Sequence, residues 1–259
     1  MAAQNFDLKA RLANRNEPFL FSWMTVPSPH LAGQLARLPI EGVCLDLQHG
    51  MIGFSDAADM IAAVSNAGRP AIVRVLWNEP GLIGQTLDAG AGALIVPMVN
   101  SKEQAEAVVR AAKYPPLGGR SWGGYTALQT YGMSAADYLK RANVMTQVFA
   151  MIETQAALDA VEEIASVPGL DGLFVGPSDL SIALSKGAGI DKTAKHTLEA
   201  MKRIAAAAKK NNLVAGAFAG SADVIKTYAA LGYTFMAAAV DVDLLQAGAS
   251  ELMKAVKGV

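Results

Sequence analysis

The chain has 259 residues, 52 % apolar and 17 % charged, with a formal net charge of −1; that balance suits one large buried core, and residues 1–259 are read as a single domain. Acids and bases are mixed and no basic stretch is interleaved with aromatics, which argues against a nucleic-acid partner, and no run approaches the about 18 uninterrupted apolar residues of a membrane span. Met1–Asn16 scatters Asp7, Lys9, Arg11 and Arg15 without the order of a signal peptide, and the lone Cys44 excludes an internal disulfide framework or a cysteine-cluster metal site, so a cytoplasmic location is expected.

Taken in chain order, short apolar runs alternate with helical stretches. Strands are expected at Phe19–Trp23, Val43–Leu47, Ala71–Val75 and Ala93–Met98, then at Gln147–Ile152, Gly172–Val175, Val214–Phe218 and Phe235–Val240. Between them, Ser55-Asp56 and Ser221-Ala-Asp223 are candidate N-caps, and Ser101-Lys-Glu-Gln104 reads as a capping box opening a helix that ends near Lys113. Gly68 and Gly232 stand where helices should stop. A long helix is expected over Asp191 to Asn212, with Leu198, Met201, Ile204 and Ala208 on one face. Eight apolar strands alternating with helices imply a parallel sheet covered on both sides, and at this length an α/β (β/α)8 barrel. No glycine-rich phosphate-binding signature follows any strand, which disfavours an open nucleotide-binding sheet.

A barrel's chemistry sits where its strands emerge at their C-terminal ends. The second strand leaves through Asp46-Leu-Gln48-His49-Gly50, the third through Arg74, the fifth through Glu153-Thr154 and the sixth through Gly176-Pro-Ser178-Asp179. Glu153 and Asp179 follow adjacent strands, whose spacing of about 4.8 Å lets two carboxylates grip one ion. Oxygen ligands without cysteine select a hard ion, Mg²⁺ or Mn²⁺ or else Co²⁺, and leave positions for a 2-oxo acid. Rim salt bridges or helix N-caps are the alternative for these acids. Arg74 cannot lose its proton, so near the barrel mouth it faces either a substrate carboxylate or enolate, or an internal partner, Asp46 or Glu153. His49, following a strand that also presents Asp46, suits a general base with an aspartate-oriented ring, directly or through water; a loop histidine without duty is the alternative. The amides opening the helix after Gly176-Pro177 make an anion site. No expected strand carries a lysine, which disfavours an imine route.

These residues carry a resemblance. Leu45-Asp46-Leu-Gln48-His49, Val73-Arg74, Leu87-Asp88-Ala-Gly90-Ala91, Val96-Pro97-Met98-Val99, Tyr114-Pro-Pro-Leu-Gly118-Gly-Arg120, Ile152-Glu153 and Phe174-Val-Gly176-Pro-Ser-Asp179-Leu180-Ser181 together resemble the HpcH/HpaI class II pyruvate aldolases, 4-hydroxy-2-oxoheptanedioate aldolase-like enzymes of the phosphoenolpyruvate/pyruvate barrel superfamily. The resemblance implies Glu153 and Asp179 as metal ligands, Arg74 as the enolate-stabilising residue, and His49, supported by Asp46, as proton acceptor. It implies that Asp88 reaches a neighbouring subunit's site, and that backbone around Ser178 and Asp179 binds the substrate carboxylate. A homo-hexamer, a trimer of dimers exchanging C-terminal helices, is implied as well. Two departures stand out: Gln48 where many members have glutamate, and Met151 where well-known members have glutamine.

The expected reaction is reversible cleavage of a 4-hydroxy-2-oxo acid to pyruvate and an aldehyde, an aldehyde-lyase activity of the kind found in aromatic compound catabolism. The rivals are another enolate-forming lyase (a CoA-ester lyase or a decarboxylating synthase) and a non-catalytic barrel. Residues touching the aldehyde are expected in loops such as Trp122 to Gln129 and Phe218 to Ser221.

Overall fold

The structure, a computed structural model, describes residues 7–13 and 15–258. The reading of Met1–Asn16 falls partly on residues 1–6 and 14, which lie outside the described residues; within that stretch a short helix, α1 (Leu8–Leu12), forms. The barrel then runs β1 (Phe19–Met24), α2 (Pro29–Leu35), β2 (Gly42–Asp46), α3 (Phe54–Asn66), β3 (Ala71–Arg74), α4 (Pro80–Asp88) and β4 (Ala93–Val96). Three helices, α5 (Lys102–Ala112), α6 (Tyr125–Tyr131) and α7 (Ala135–Met145), lead to β5 (Gln147–Ile152). The second half contains α8 (Gln155–Asp159), α9 (Val161–Ala165), β6 (Gly172–Val175), α10 (Pro177–Leu184), α11 (Lys195–Lys210), β7 (Val214–Phe218), α12 (Ala222–Ala230), β8 (Phe235–Val240) and α13 (Asp241–Lys257). All eight strands are parallel and β8 closes onto β1, so the fold is a (β/α)8 TIM barrel. Among the described residues no helix is long and apolar enough to cross a membrane.

The local signals hold with corrections. Three strands end earlier than their apolar runs, at Asp46, Arg74 and Val96; the fourth stops because Met98 takes a left-handed conformation (φ 56°) that extended backbone cannot follow. Ser101 caps α5 through the Gln104 amide, but Gln104 returns its side chain to the Asn100 amide rather than to Ser101. Helix α3 starts before Ser55: its N-cap is Gly53, and Asp56 accepts from the Gly53 amide at 3.1 Å. Asp191 closes a turn on Thr193 instead of opening α11, which begins at Lys195. The stretch expected as a Trp122–Gln129 loop is helical from Tyr125 onward.

Alternation along the strands decides which side chains enter the barrel. Phe19, Phe21, Trp23, Cys44, Ile72, Phe149, Met151, Phe174 and Phe235 form an interior cluster, while Leu45, Val73, Ala150 and Val175 belong to the layer under the helices. The interior is largely aromatic: Phe235 stacks on Phe149 at 4.7 Å and lies 4.5 Å from Phe21, and Trp23 stacks on Phe174 at 6.0 Å. A register shift in the β1–β8 pairing skips Ala238, so Val240 rather than Ala239 stands beside Trp23. At the opposite end of the barrel, Lys113 is buried against Asp171 (2.6 Å) and the carbonyls of Asn143 and Thr146. Burial lowers the lysine's pKa and raises the aspartate's, each held back by the other's charge.

Candidate active site

The inward parity of each strand continues past its last apolar residue. Asp46 follows inward Cys44 by two positions, Arg74 follows Ile72, Glu153 follows Met151 and Gly176 follows Phe174. All four are therefore aimed into the C-terminal mouth. A cavity of about 260 Å³ opens there, and His49, Arg74, Gly176, Ser178 and Asp179 line one part of it. Trp23, Thr25, Met151, Phe218 and Val240 line the rest.

Arg74 is 7 % exposed and makes a two-pronged contact with Asp46, Nε donating to Oδ1 at 2.9 Å and Nη2 to Oδ2 at 2.6 Å. Its guanidinium also stands 4.9 Å from the centre of the Trp23 ring, whose Nε1 donates to Asp46 Oδ2. The internal partner anticipated as an alternative is thus present, and the guanidinium still faces the cavity. Asp46 does not orient the His49 ring, as the sequence suggested; its Oδ1 accepts from the backbone amides of Gln48 and His49 instead. Asp46 has no hydrogen bond to the imidazole, and it fixes the turn from which His49 projects, exposed, at the rim. Burial pushes the Asp46 carboxyl up, but Arg74, Trp23 and the His49 amide bring it below the usual aspartate value. Gly50 serves that same turn: a Cβ there would collide with the Asp46 carbonyl.

Glu153 is 3 % exposed, with Oε1 accepting from the Met98 amide at 2.8 Å. A Cβ on residue 176 would stand 2.8 Å from its Oε2, so glycine is what leaves the carboxylate its place. Asp179 differs from Glu153 in being exposed. Gly176 is the N-cap of α10 and Asp179 sits in the first turn. Burial raises the Glu153 pKa and the Asp179 charge adds to it, while the Met98 amide and Arg74 pull it back. A buried carboxylate faced by a second acid calls for a cation. Two oxygen donors fit a hard divalent ion with its other positions open to water or substrate. No group of three or more His, Cys, Asp or Glu able to hold a metal occurs among the described residues. The first intrahelical bond of α10 runs from Leu180 N to Gly176 O, which leaves the Ser178 and Asp179 amides at the cavity outside the helical ladder.

Asp88 is not brought to this cavity. It ends α4, pairs with Arg120 at 2.6 Å, and lines a separate recess with Phe54, Gln85 and Gly123. Two functional side chains escaped the sequence reading. Trp23 has a signal, its inward position at the end of β1, but carries no charge to mark it. Asp241, at the exit of β8, is 1 % exposed and accepts from Thr25 N, Thr25 Oγ1, Val26 N and Val242 N, all at 2.9 Å, so it holds the Thr25 segment against the cavity.

Comparison with known proteins places this geometry. The HpcH/HpaI aldolase/citrate lyase family model matches residues 20–247. The chain is 35 % identical over 240 residues to a hydroxypyruvate/pyruvate aldolase of Rhizorhabdus wittichii, covering 93 % of this chain and 94 % of the relative. It is 34 % identical over 248 residues to a 2-dehydro-3,6-dideoxy-6-sulfogluconate aldolase of Pseudomonas putida, covering 95 % and 96 %. The crystal structure of a family protein from Burkholderia cenocepacia superposes with a TM-score of 0.87 at 32 % identity, covering 96 % of this chain and 98 % of that one. With a shared barrel and near-complete coverage, the chain belongs to the HpcH/HpaI aldolase/citrate lyase family.

Proposed function

We propose that the protein is a divalent-metal-dependent pyruvate aldolase that reversibly cleaves a 4-hydroxy-2-oxo acid to pyruvate and an aldehyde. The observation that carries this reading is the buried Glu153 carboxylate, which feels the charge of Asp179, next to a cavity that Asp179 and Arg74 both line. Glu153 and Asp179 would hold Mg²⁺, Mn²⁺ or Co²⁺, which supplies Lewis-acid polarisation of the 2-oxo group when bound. The amides of Ser178 and Asp179, beside Gly176, bind the substrate carboxylate at the N-terminus of α10. Arg74, kept rigid by Asp46 and Trp23, presents fixed positive charge where the enolate oxygen develops as the C3–C4 bond breaks. His49 accepts the 4-hydroxyl proton through water and returns it in the synthetic direction. Trp23, Met151 and Phe218 keep the rest of the cavity dry. By their names, the relatives above act on hydroxypyruvate or pyruvate and on a sulfogluconate, which supports a 2-oxo acid as the common half of the substrate.

The assembly belongs to the same reading. Helix α13 exposes Leu245, Leu252, Met253 and Val256 along its length, which supports exchange of this helix within a homo-hexamer. Asp88, held by Arg120 away from this chain's own cavity, then acts on a neighbouring subunit's histidine. The test is pyruvate release from a 4-hydroxy-2-oxo acid: it stops in EDTA and returns with Mn²⁺, Co²⁺ or Mg²⁺. Activity indifferent to chelation, with borohydride trapping of the substrate, overturns the reading.

A further inference from the structure

Glu153 reaches the mouth of the barrel from β5, but what holds it comes from the neighbouring strands. Its Oε1 accepts from the Met98 amide, just past β4, at 2.8 Å, and a Cβ on residue 176, just past β6, would press on its Oε2. The carboxylate is thus bounded by the exits of both strands that flank β5. Met98 offers its amide from the left-handed region (φ 56°), which is uncommon for any residue with a side chain. Such a conformation persists only where the surroundings impose it.

Asn100 supplies the constraint. Its Nδ2 donates to the Met98 carbonyl at 3.1 Å, and its Oδ1 accepts from Oγ1 of Thr154, the residue that follows Glu153. That hydroxyl also accepts from the Ala157 amide at 3.0 Å as the N-cap of α8, so its one proton is committed to Asn100. The asparagine's own backbone is fixed as well: its amide donates to Gln104 Oε1 at 2.7 Å, and Val99, between it and Met98, is fully buried in the core. One partly buried side chain therefore ties the residue whose amide grips Glu153 to the residue next to Glu153 in the chain. The tie needs a donor and an acceptor on one short planar group, which asparagine has and a leucine of similar shape lacks.

We propose that Asn100 is a positioning residue for Glu153. By tying Met98 to Thr154 it keeps the exits of β4 and β5 in one arrangement, and so fixes the direction in which the carboxylate is offered to a divalent ion. Hydrogen-bonding partners that orient a ligand in this way are worth about 10- to 100-fold in metal affinity. The proposal rests on the reading of Glu153 as a metal ligand, so its test separates the two. Full-length wild type, Asn100→Leu, Thr154→Val, Thr154→Ser and the double variant of Asn100→Leu with Thr154→Val are titrated calorimetrically with Mn²⁺. Each is also melted in EDTA, to establish that it is folded at the temperature of the titration. Glu153→Gln is titrated alongside as the control for the metal reading.

Asn100→Leu and Thr154→Val should each weaken Mn²⁺ binding about 10-fold, and Thr154→Ser, which keeps the hydroxyl, should stay within about two-fold of wild type. Both changes cut the same link, so the double variant should bind about as weakly as either single, rather than the about 100-fold weaker of two independent losses. Unchanged affinity in Asn100→Leu, a Thr154→Ser as weak as Thr154→Val, or losses that multiply overturns the role of Asn100 and leaves the metal reading in place. If Asn100→Leu does not fold, the contrast of Thr154→Val with Thr154→Ser decides by itself. No Mn²⁺ binding by wild type, or binding unaltered in Glu153→Gln, removes the metal reading and this proposal with it.

Discussion

The Asp46 carboxylate is the most heavily used acid in the mouth of the barrel, and Asp46→Asn measures what it holds. Oδ1 accepts from Arg74 Nε, Gln48 N and His49 N, and Oδ2 from Arg74 Nη2 and Trp23 Nε1. An asparagine amide in place of Oδ2 sets N–H against two donors; in place of Oδ1, against three. The first arrangement costs less, yet it leaves a 7 % exposed guanidinium without a counter-charge. Removing one member of a buried pair costs about 3–5 kcal/mol. With about 2.1 cal/mol/K of unfolding entropy for each of 259 residues, the melting temperature should fall by about 6–9 °C. Thermal or urea unfolding at one fixed protein concentration measures this, because assembly would shift the midpoint with concentration. Arg74→Met in the Asp46→Asn background removes the stranded charge and should restore about 1–2 kcal/mol. The pH dependence follows from the depressed carboxyl. Such a group contributes its stability above its unfolded pKa, near 4, and loses it as pH falls through the folded value. The gap between wild type and Asp46→Asn should therefore narrow in acid below about pH 4. An Asp46→Asn protein within about 1 kcal/mol of wild type, or a double variant as unstable as the sum of the singles, would refute the reasoning.

Three further outcomes are expected. Glu153→Gln should abolish Mn²⁺ binding in calorimetric titration, and yet in EDTA it should melt about 2–4 °C above wild type, because it replaces a buried carboxylate whose ionisation is opposed by burial and by Asp179; a lower melting point contradicts this. Gly176→Ala puts a Cβ 2.8 Å from Glu153 Oε2 and 2.6 Å from Met151 Cε, and should weaken Mn²⁺ binding about 10- to 100-fold, with unchanged affinity as the contrary result. Asp241→Asn should cost about 1–3 kcal/mol in urea unfolding and raise KM for the aldehyde more than it slows pyruvate exchange, since Thr25 lines the cavity; equal effects on both would show that Asp241 acts on stability alone.

Much of this site was legible because strand alternation is a simple rule. Once Cys44, Ile72, Met151 and Phe174 are inward, Asp46, Arg74, Glu153 and Gly176 two residues on must point into the mouth. The rule weakens where the strand ends. Asp179 lies beyond a Gly-Pro turn, so its position relative to Glu153 depends on how α10 folds back. For Asp46 the sequence leaves Arg74 and the His49 ring as alternative partners, because five donors from four residues compete for it and only coordinates rank them. Asp241 follows the same exit pattern as the other acids. Its duty depends on contact with Thr25, more than 200 residues away in the chain, which no local pattern encodes. The β1–β8 register shift that turns Val240 inward is invisible for the same reason.

The aromatic column inside the barrel has a consequence for how this enzyme can change. Trp23 lines the cavity and, stacked on Phe174, forms the upper end of the packing that runs through Phe21 to Phe235 and Phe149. Trimming either ring to admit a longer substrate opens a void in the packing that seals the strands together, at about 3–5 kcal/mol for each ring lost. The barrel thus has a fixed depth. New substrate range has to be gained outward, from the segment around Thr25 and the turn that follows Phe218, which lie beyond the strands that close the sheet.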